Sequence, residues 1–191
     1  MAIFPHIRAD LAAYDGDWGA QGFWVMLVYR YGRWRYTVKP GIVRKPFSLL
    51  YKFLYKMVQI LTGIELPCEV DVGKNFRIDH FGDIIISGYA RFGDDCIVRN
   101  GVTVGLKNIE EKAAPQVGNN VNIGAGAKLL GPITIGDNVD IGANAVVIKS
   151  IPDNCLAVGI PARIIVKRGE ADHDGTAEEN IVPLATDSQS G

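Results

Sequence analysis

Hydrophobic residues in the C-terminal half of the chain recur every six positions. A period of six fits neither an α-helix, which repeats every ~3.6 residues, nor a strand that alternates every two. It predicts a coil of short strands whose corners carry glycine, asparagine or aspartate. One register holds Val117, Ile123, Leu129, Ile135, Ile141 and Val147, and a second, four residues on, holds Val121, Ala127, Ile133, Val139, Ala145 and Ile151.

The same period occurs earlier in the chain, and two interruptions divide it. It runs through Val72, Ile78 and Ile84 and then, after two extra residues, through Phe92, Val98 and Val104. Stacked coils of this kind bury their aliphatic side chains in a continuous interior. The longer interruption, residues 105–116, predicts a loop, and we expect a functional role for it because a scaffold has no need of such an excursion.

Three regions follow from these patterns: a helical region at 1–63, the repeat domain at 64–168 and a flexible acidic tail at 169–191. The tail contains six acidic residues and no Lys or Arg. Within the helical region, the residue pattern predicts helices at 7–14, 21–34 and 48–61. The third of these has an apolar stripe, with Pro46 and Ser48 at its start and Gly63 at its end.

Composition restricts the class of protein. The three cysteines are scattered and odd in number, which favours reduced thiols rather than a disulfide framework. The N-terminus does not read as a signal peptide, and the longest apolar run, 23–29, is too short to span a bilayer. We therefore expect a cytoplasmic protein.

Four segments resemble the serine acetyltransferase family: TGIELPCEVDVGKNFRIDH (62–80), GVTVG (101–105), IGAGAKLLGPITIGDNVDIGANAVV (123–147) and VGIPARII (158–165). That family belongs to the hexapeptide-repeat acyltransferases. The resemblance implies a mainly β fold, a left-handed parallel β-helix that assembles as a homotrimer, with a dimer of trimers as a further option. The implied activity is acetyl-CoA-dependent O-acetyl transfer without a metal.

The resemblance also implies the catalytic residues. His80 matches the histidine that takes the proton from the acceptor hydroxyl, and Glu65 matches the carboxylate that orients it. Asp79 matches the aspartate that meets the amine of serine. The repeat contains no histidine besides His80, which disfavours the zinc-dependent relatives on this fold.

Acetyl-CoA is expected in a groove between neighbouring subunits. The positions that match its contacts are Gly105, Ala125 and Ala143, where small residues admit the pantetheine arm. A backbone amide at Gly105–Leu106 is the candidate for stabilising the oxyanion. Lys149 and Arg163 are candidates for binding the phosphates.

The chain departs from the family at the end of the 105–116 loop. Serine acetyltransferases have Arg-His-Pro there and use the first two side chains to hold the amino acid, whereas this chain has Ala113-Ala114-Pro115. Ala114 thus occupies an acceptor-binding position with only a methyl group. We therefore favour a sugar hydroxyl in surface-polysaccharide biosynthesis as acceptor. Serine O-acetylation and a non-catalytic assembly scaffold are the alternatives.

The segment 29–56 mixes aromatic and basic residues and allows three interpretations. We favour a helical cap whose Lys and Arg side chains are solvated. Contact with an anionic lipid surface is the less favoured alternative. Nucleic-acid binding is disfavoured by the acidic pI of 6.3 and by the lack of a nucleic-acid motif.

Overall fold

Three α-helices form the N-terminal region of the computed structural model, which describes residues 4–108 and 110–167. They are α1 (Phe4–Ala13), α2 (Gln21–Trp34) and α3 (Gly41–Thr62), and a short 3₁₀ turn at Arg35–Thr37 follows α2. α2 has the predicted bounds. α3 begins at Gly41 rather than at Ser48, and Pro46 lies inside it. Near the start of a helix, Pro46 removes only the bond to the carbonyl four residues before it, so the helix continues.

The repeat folds into fifteen short strands within the described residues, and these form three sheets. The first sheet contains β1 (Ile64–Glu65), β4 (Ile84–Ile86), β7 (Thr103–Gly105), β10 (Lys128–Leu130) and β13 (Val146–Val147). The second contains β2 (Asp71–Val72), β5 (Arg91–Phe92), β8 (Gln116–Val117) and β11 (Thr134–Ile135). The third contains β3 (Arg77–Asp79), β6 (Ile97–Arg99), β9 (Asn122–Ile123), β12 (Asp140–Ile141), β14 (Cys155–Val158) and β15 (Arg163–Val166).

Every third strand of the repeat returns to the same sheet and pairs in parallel with the strand one coil below, which confirms the predicted β-helix. All twelve residues of the two predicted aliphatic registers are buried in its interior. β15 is the exception to the parallel pairing, because it turns back and pairs antiparallel with β14. The division between helices and repeat falls at Gly63, and the predicted tail at 169–191 lies outside the described residues.

The two extra residues of the early repeat lie in a different place from the one the sequence suggested. Ile86, not Ile84, pairs with Val104, so the regular spacing of six runs from Ile86 to Phe92. The extra residues therefore lie between β3 and β4. Three consecutive isoleucines, all compatible with an aliphatic register, concealed the shift.

The hydrogen bonds identify the two extra residues as His80 and Phe81. Asp79 pairs with Arg99 in the coil above. The amide of Gly101 donates to the carbonyl of Gly82, in the same way that Gly126 donates to Asn100 one coil higher. Gly82 is thus the counterpart of Asn100, which directly follows Arg99. His80 and Phe81 have no counterpart and form a two-residue bulge.

The helices are fixed to the first coil by buried polar contacts. The hydroxyl of Tyr29 donates to the carbonyl of Val70 at 2.9 Å, and the amide of Ile78 donates to the hydroxyl of Tyr14 at 2.9 Å. A Cβ at Gly22 would lie 2.5 Å from the carbonyl oxygen of Ile78. α1 and α2 therefore lie directly beside the corner that carries the bulge.

α3 packs on the coil with one side only. Tyr51 is buried and Leu54, Tyr55 and Val58 are packed against the core, whereas the other apolar residues of the predicted stripe, including Leu49 and Phe53, are exposed. The predicted stripe therefore divides into a packed face and an exposed face. None of the helices in the described part of the chain is long and apolar enough to cross a bilayer.

Candidate active site

His80 stands out from its surroundings by its backbone. It is exposed and has a φ of 65°, in the left-handed region; the other eight non-glycine residues with positive φ in the described chain are all Asn or Asp. The higher coils turn this corner with six-residue spacing through residues such as Gly101 and Gly126. A strained, non-glycine residue in a bulge that the repeat does not need is typical of functional sites.

A depression of about 320 Å³ lies beside His80. The repeat contributes Arg77, Asp79 and His80 to its lining, and the helical region contributes Tyr14 and Gln21. Sequence reasoning missed the last two, because nothing in the pattern of the helices shows which of their residues face the first coil.

Asp79 is already paired within its own strand. The Nε of Arg77 donates to the Oδ1 of Asp79 at 2.6 Å, and this hydrogen bond is the main reason that the pKa of Arg77 is raised. The carboxylate is partly buried. Asp79 therefore faces the depression as half of an ion pair and not as a free negative charge.

Tyr14 adds a neutral hydroxyl to the depression. Burial raises the pKa of Tyr14 to about 12, and the amide of Ile78 acts in the opposite direction by hydrogen bonding to the phenol oxygen. The phenol is therefore protonated at neutral pH and keeps a proton that it can donate.

Glu65 lies on the exposed face of β1 and pairs with Ile85 of β4. Of the hydrogen bonds and ion pairs within residues 4–108 and 110–167, none joins its carboxylate to His80. Tyr55 of α3 is a neighbour of Glu65: burial raises the pKa of this phenol, and the charge of Glu65 raises it further. The structure thus places Glu65 and His80 in the same coil, at β1 and after β3, without a hydrogen bond between them.

The predicted donor-binding residues divide between the two edges of the first sheet. Ala125 and Ala143 lie at the corners above His80, where the amide of Asn144 donates to the carbonyl of Ala125 at 2.8 Å. Arg163 follows a turn that stacks on β13, since the amide of Ala162 donates to the carbonyl of Val146 at 2.9 Å. We call this side, where the third sheet passes into the first, the histidine edge.

The opposite side of the first sheet, where it passes into the second, is the loop edge. Gly105 ends β7 there, and Leu106 begins the excursion to β8. Lys149 is exposed just after β13, four coils above the first. At roughly 3.3 Å per residue, the four residue steps from the corner at Gly101 to Gly105 separate Gly105 from the histidine edge of the same chain by about 13 Å.

The excursion between β7 and β8 spans residues 106–115. Its residues 107, 108 and 110–112 are exposed. Ala114, expected to face the acceptor, is instead 3% exposed and part of the hydrophobic core. Its methyl group therefore lines no open surface of the single chain.

Comparisons with known proteins agree with this geometry. The family model described as "Bacterial transferase hexapeptide (six repeats)" matches residues 114–149. "Putative colanic acid biosynthesis acetyltransferase WcaB" of Escherichia coli K12 is 35% identical over 162 residues, which cover 82% of this chain and 97% of WcaB. The chain belongs to the serine acetyltransferase-like hexapeptide transferases.

Two further similar proteins are serine acetyltransferases. The serine acetyltransferase of Synechococcus elongatus is 36% identical over 149 residues, which cover 78% of this chain but only 58% of that protein. The crystal structure of serine acetyltransferase in complex with coenzyme A from Brucella abortus superposes with a TM-score of 0.73 at 29% identity. The superposition covers 87% of this chain and 68% of that one.

In the part of the chain that the structure describes, no group of three His, Cys, Asp or Glu side chains lies close enough together to hold a metal ion. That the reaction needs no metal stays a prediction from the sequence.

Proposed function

We propose that this chain is an O-acetyltransferase that moves an acetyl group from acetyl-CoA to a hydroxyl of a sugar acceptor, with His80 as general base. The observation that carries the proposal is the bulge of His80 and Phe81. It presents an exposed imidazole at a corner with positive φ, next to the depression of about 320 Å³. Imidazole is the side chain most often used as a general base near neutral pH.

In the proposed reaction, the neutral imidazole of His80 accepts the proton of the acceptor hydroxyl while its oxygen attacks the thioester carbonyl carbon. The bond between that carbon and sulfur then breaks, and the departing thiolate takes the proton from the imidazolium. Atoms and charges balance, and the products are an ester and free CoA. General-base help of this kind contributes about 10²–10⁴ in rate.

The donor would lie along the histidine edge. At about 4.8 Å per coil, Ala125 is two coils and roughly 10 Å above His80, and Ala143 is three coils and roughly 14 Å above it. An extended pantetheine arm can follow such a line past methyl groups and backbone. Arg163, at the upper end of the same edge, is placed for the phosphates. The relative solved in complex with coenzyme A supports acetyl-CoA as the donor.

The two edges favour an active site shared between subunits. Gly105, Leu106 and Lys149 lie about 13 Å or more from the histidine edge of their own chain, too far to contact the same reacting atoms. In a homotrimer, the loop edge of one subunit can face the histidine edge of the next. An amide at Gly105–Leu106 would then stabilise the oxyanion in the neighbouring site. Sedimentation should show a trimer or a multiple of it.

Two features favour a sugar over serine as acceptor. Asp79 is neutralised by Arg77, so it offers the ammonium group of an amino acid no free charge. Ala113 and Ala114 replace the side chains that would hold its carboxylate. WcaB, which the match covers almost completely, is named for a polysaccharide pathway. Serine O-acetyltransferase is the second candidate because other relatives carry that name.

A cytoplasmic location stays a prediction from the sequence.

The test is an acceptor screen that measures CoA release from acetyl-CoA with serine, nucleotide sugars and lipid-linked sugars, using wild type and His80→Ala. We expect release with a sugar and a loss of at least ~10²-fold in the variant. Release with serine alone would support the second candidate. If CoA neither protects the protein against heat nor is released with any acceptor, the chain is a scaffold.

A further inference from the structure

The exposed face of α3 is the largest apolar feature that the proposed function leaves unused. Its members lie on one arc of the helix, at intervals of seven, four and seven residues. The side chains are among the most exposed apolar ones in the described chain: Ile42 at 76%, Leu49 at 71%, Phe53 at 61% and Ile60 at 70%. We call these four residues the α3 stripe. A contiguous exposed stripe of this kind marks an interaction surface.

A row of lysines borders the α3 stripe. Lys45, Lys52 and Lys56 recur on one flank of the arc, opposite the side on which Tyr51 packs into the core. All three lysines are exposed, and the ion pairs found within residues 4–108 and 110–167 include none of them. The sequence between positions 18 and 64 contains eight basic residues and no acidic one. Three of the eight, Arg30, Arg33 and Arg35, are paired with acidic side chains from outside this segment, so the positive charge beside the stripe rests on the lysines.

The geometry points to an anionic lipid surface as the partner: we propose that α3 lies on a membrane in the plane of the headgroups. The stripe would enter the acyl boundary, and the lysines would reach the negative headgroups with their flexible stems. A helix with a continuous apolar face and a basic flank has the composition of an interfacial helix. The proposal is independent of the identity of the acceptor.

A second copy of this chain fits the same face less well. α3 has 22 residues, so its length is about 33 Å. With a width of roughly 10 Å, its exposed face offers about 330 Å², well below the ~800 Å² per partner of a stable interface. Two such faces in symmetric contact would also bring two rows of lysines together, which opposes association.

The test is sedimentation of the full chain with vesicles of phosphatidylcholine mixed with phosphatidylglycerol, against vesicles of phosphatidylcholine alone. We expect binding to the anionic vesicles only, and weaker binding as salt is raised. Each lysine near an anionic surface contributes about fivefold. The triple variant Lys45→Gln, Lys52→Gln, Lys56→Gln should therefore lower the partition coefficient by about 100-fold.

Two further triple variants separate the contributions. Leu49→Gln, Phe53→Gln and Ile60→Gln together should also abolish sedimentation with the vesicles, because the helix loses the apolar side chains that enter the acyl boundary. These side chains are exposed, so circular dichroism should show an intact fold. The matched control replaces three exposed lysines outside α3 and should bind as wild type does: Lys74→Gln, Lys107→Gln and Lys112→Gln.

Three outcomes would overturn the proposal. They are equal binding to neutral and anionic vesicles, equal loss in the control variant, and no binding by the wild-type chain. A fourth would identify a second copy as the occupant instead: the stripe variant would remain folded but form a smaller oligomer than wild type in sedimentation velocity.

Discussion

Deleting His80 and Phe81 together should leave a folded protein without acetyltransferase activity. The coil above shows why the chain can close. Asp79 and Gly82 occupy the positions of Arg99 and Asn100, which are directly bonded. Because stacked coils share their backbone geometry, the peptide bond that joins Arg99 to Asn100 can also join Asp79 to Gly82. The deletion therefore restores the regular spacing of six.

The expected effect on stability is small because two contributions cancel. A side chain at positive φ costs roughly 1–2 kcal/mol, and the deletion removes that cost at His80. Phe81 is 57% exposed, so it buries less than half of a ring whose full burial stabilises by ~1.5–3 kcal/mol. Its loss costs about 1 kcal/mol. The melting temperature should therefore change by no more than roughly 2–4 °C.

The assay compares thermal melting and CoA release for wild type, the deletion and His80→Ala. Both variants should melt close to wild type, and both should lose at least ~10²-fold in turnover. The matched control is deletion of Asn100 and Gly101 at the corresponding corner of the next coil. That corner has no spare residues, so this variant should unfold. A deletion of 80–81 that unfolds, or one that keeps its activity, would refute the reasoning.

Three further predictions concern single residues. Gly22→Ala should lower the free energy of unfolding by about 1–3 kcal/mol in urea titrations, because its Cβ would lie 2.5 Å from the Tyr14 hydroxyl. Gly105→Ala has 3.9 Å of clearance, so it should keep the melting temperature but raise the KM for acetyl-CoA; an unchanged KM would exclude a close approach of the donor. Burial raises the pKa of Cys96 from 9.0 to about 11. Its stabilising contribution is therefore complete below pH ~9 and falls by up to about 3 kcal/mol as the pH rises towards ~11. Cys96→Ala should flatten that alkaline decline.

The β-helix could be predicted from the sequence because the same pattern of buried positions repeats every six residues. Each inward position of the coil is buried whatever the rest of the sequence does, so twelve separate residues from Val117 to Ile151 report the same period. The exact register of the early repeat was less accessible. Ile84 and Ile86 both point inward, and a pattern of hydrophobicity cannot tell which of them opens the next spacing. Only the pairing of Ile86 with Val104 decides it.

The sequence predicts the helices of the N-terminal region, but not the contacts that they make with the coil. The bounds of α2 agree at both ends: a turn that contains Gly16 and Gly19 precedes the helix, and the 3₁₀ turn at Arg35–Thr37 follows it. Which face of α3 is covered does not follow from its sequence. Tyr51 and Val58 are no more hydrophobic than Phe53 and Ile60, yet only the first two meet the coil. The covered face is set by where α2 and the first coil lie.

The sequence predicts which residues form the candidate site, but it does not predict how far apart they lie in a single chain. The resemblance places His80, Gly105 and Ala143 in one active site, but the coil separates them by its own dimensions, since strand length fixes one distance and coil height the other. Gly105 lies on the loop edge and His80 on the histidine edge, so the proposed oxyanion amide has to come from a second subunit. If the chain sedimented as a monomer and still released CoA with an acceptor, the shared site would be excluded, and the oxyanion would require an amide on the histidine edge itself.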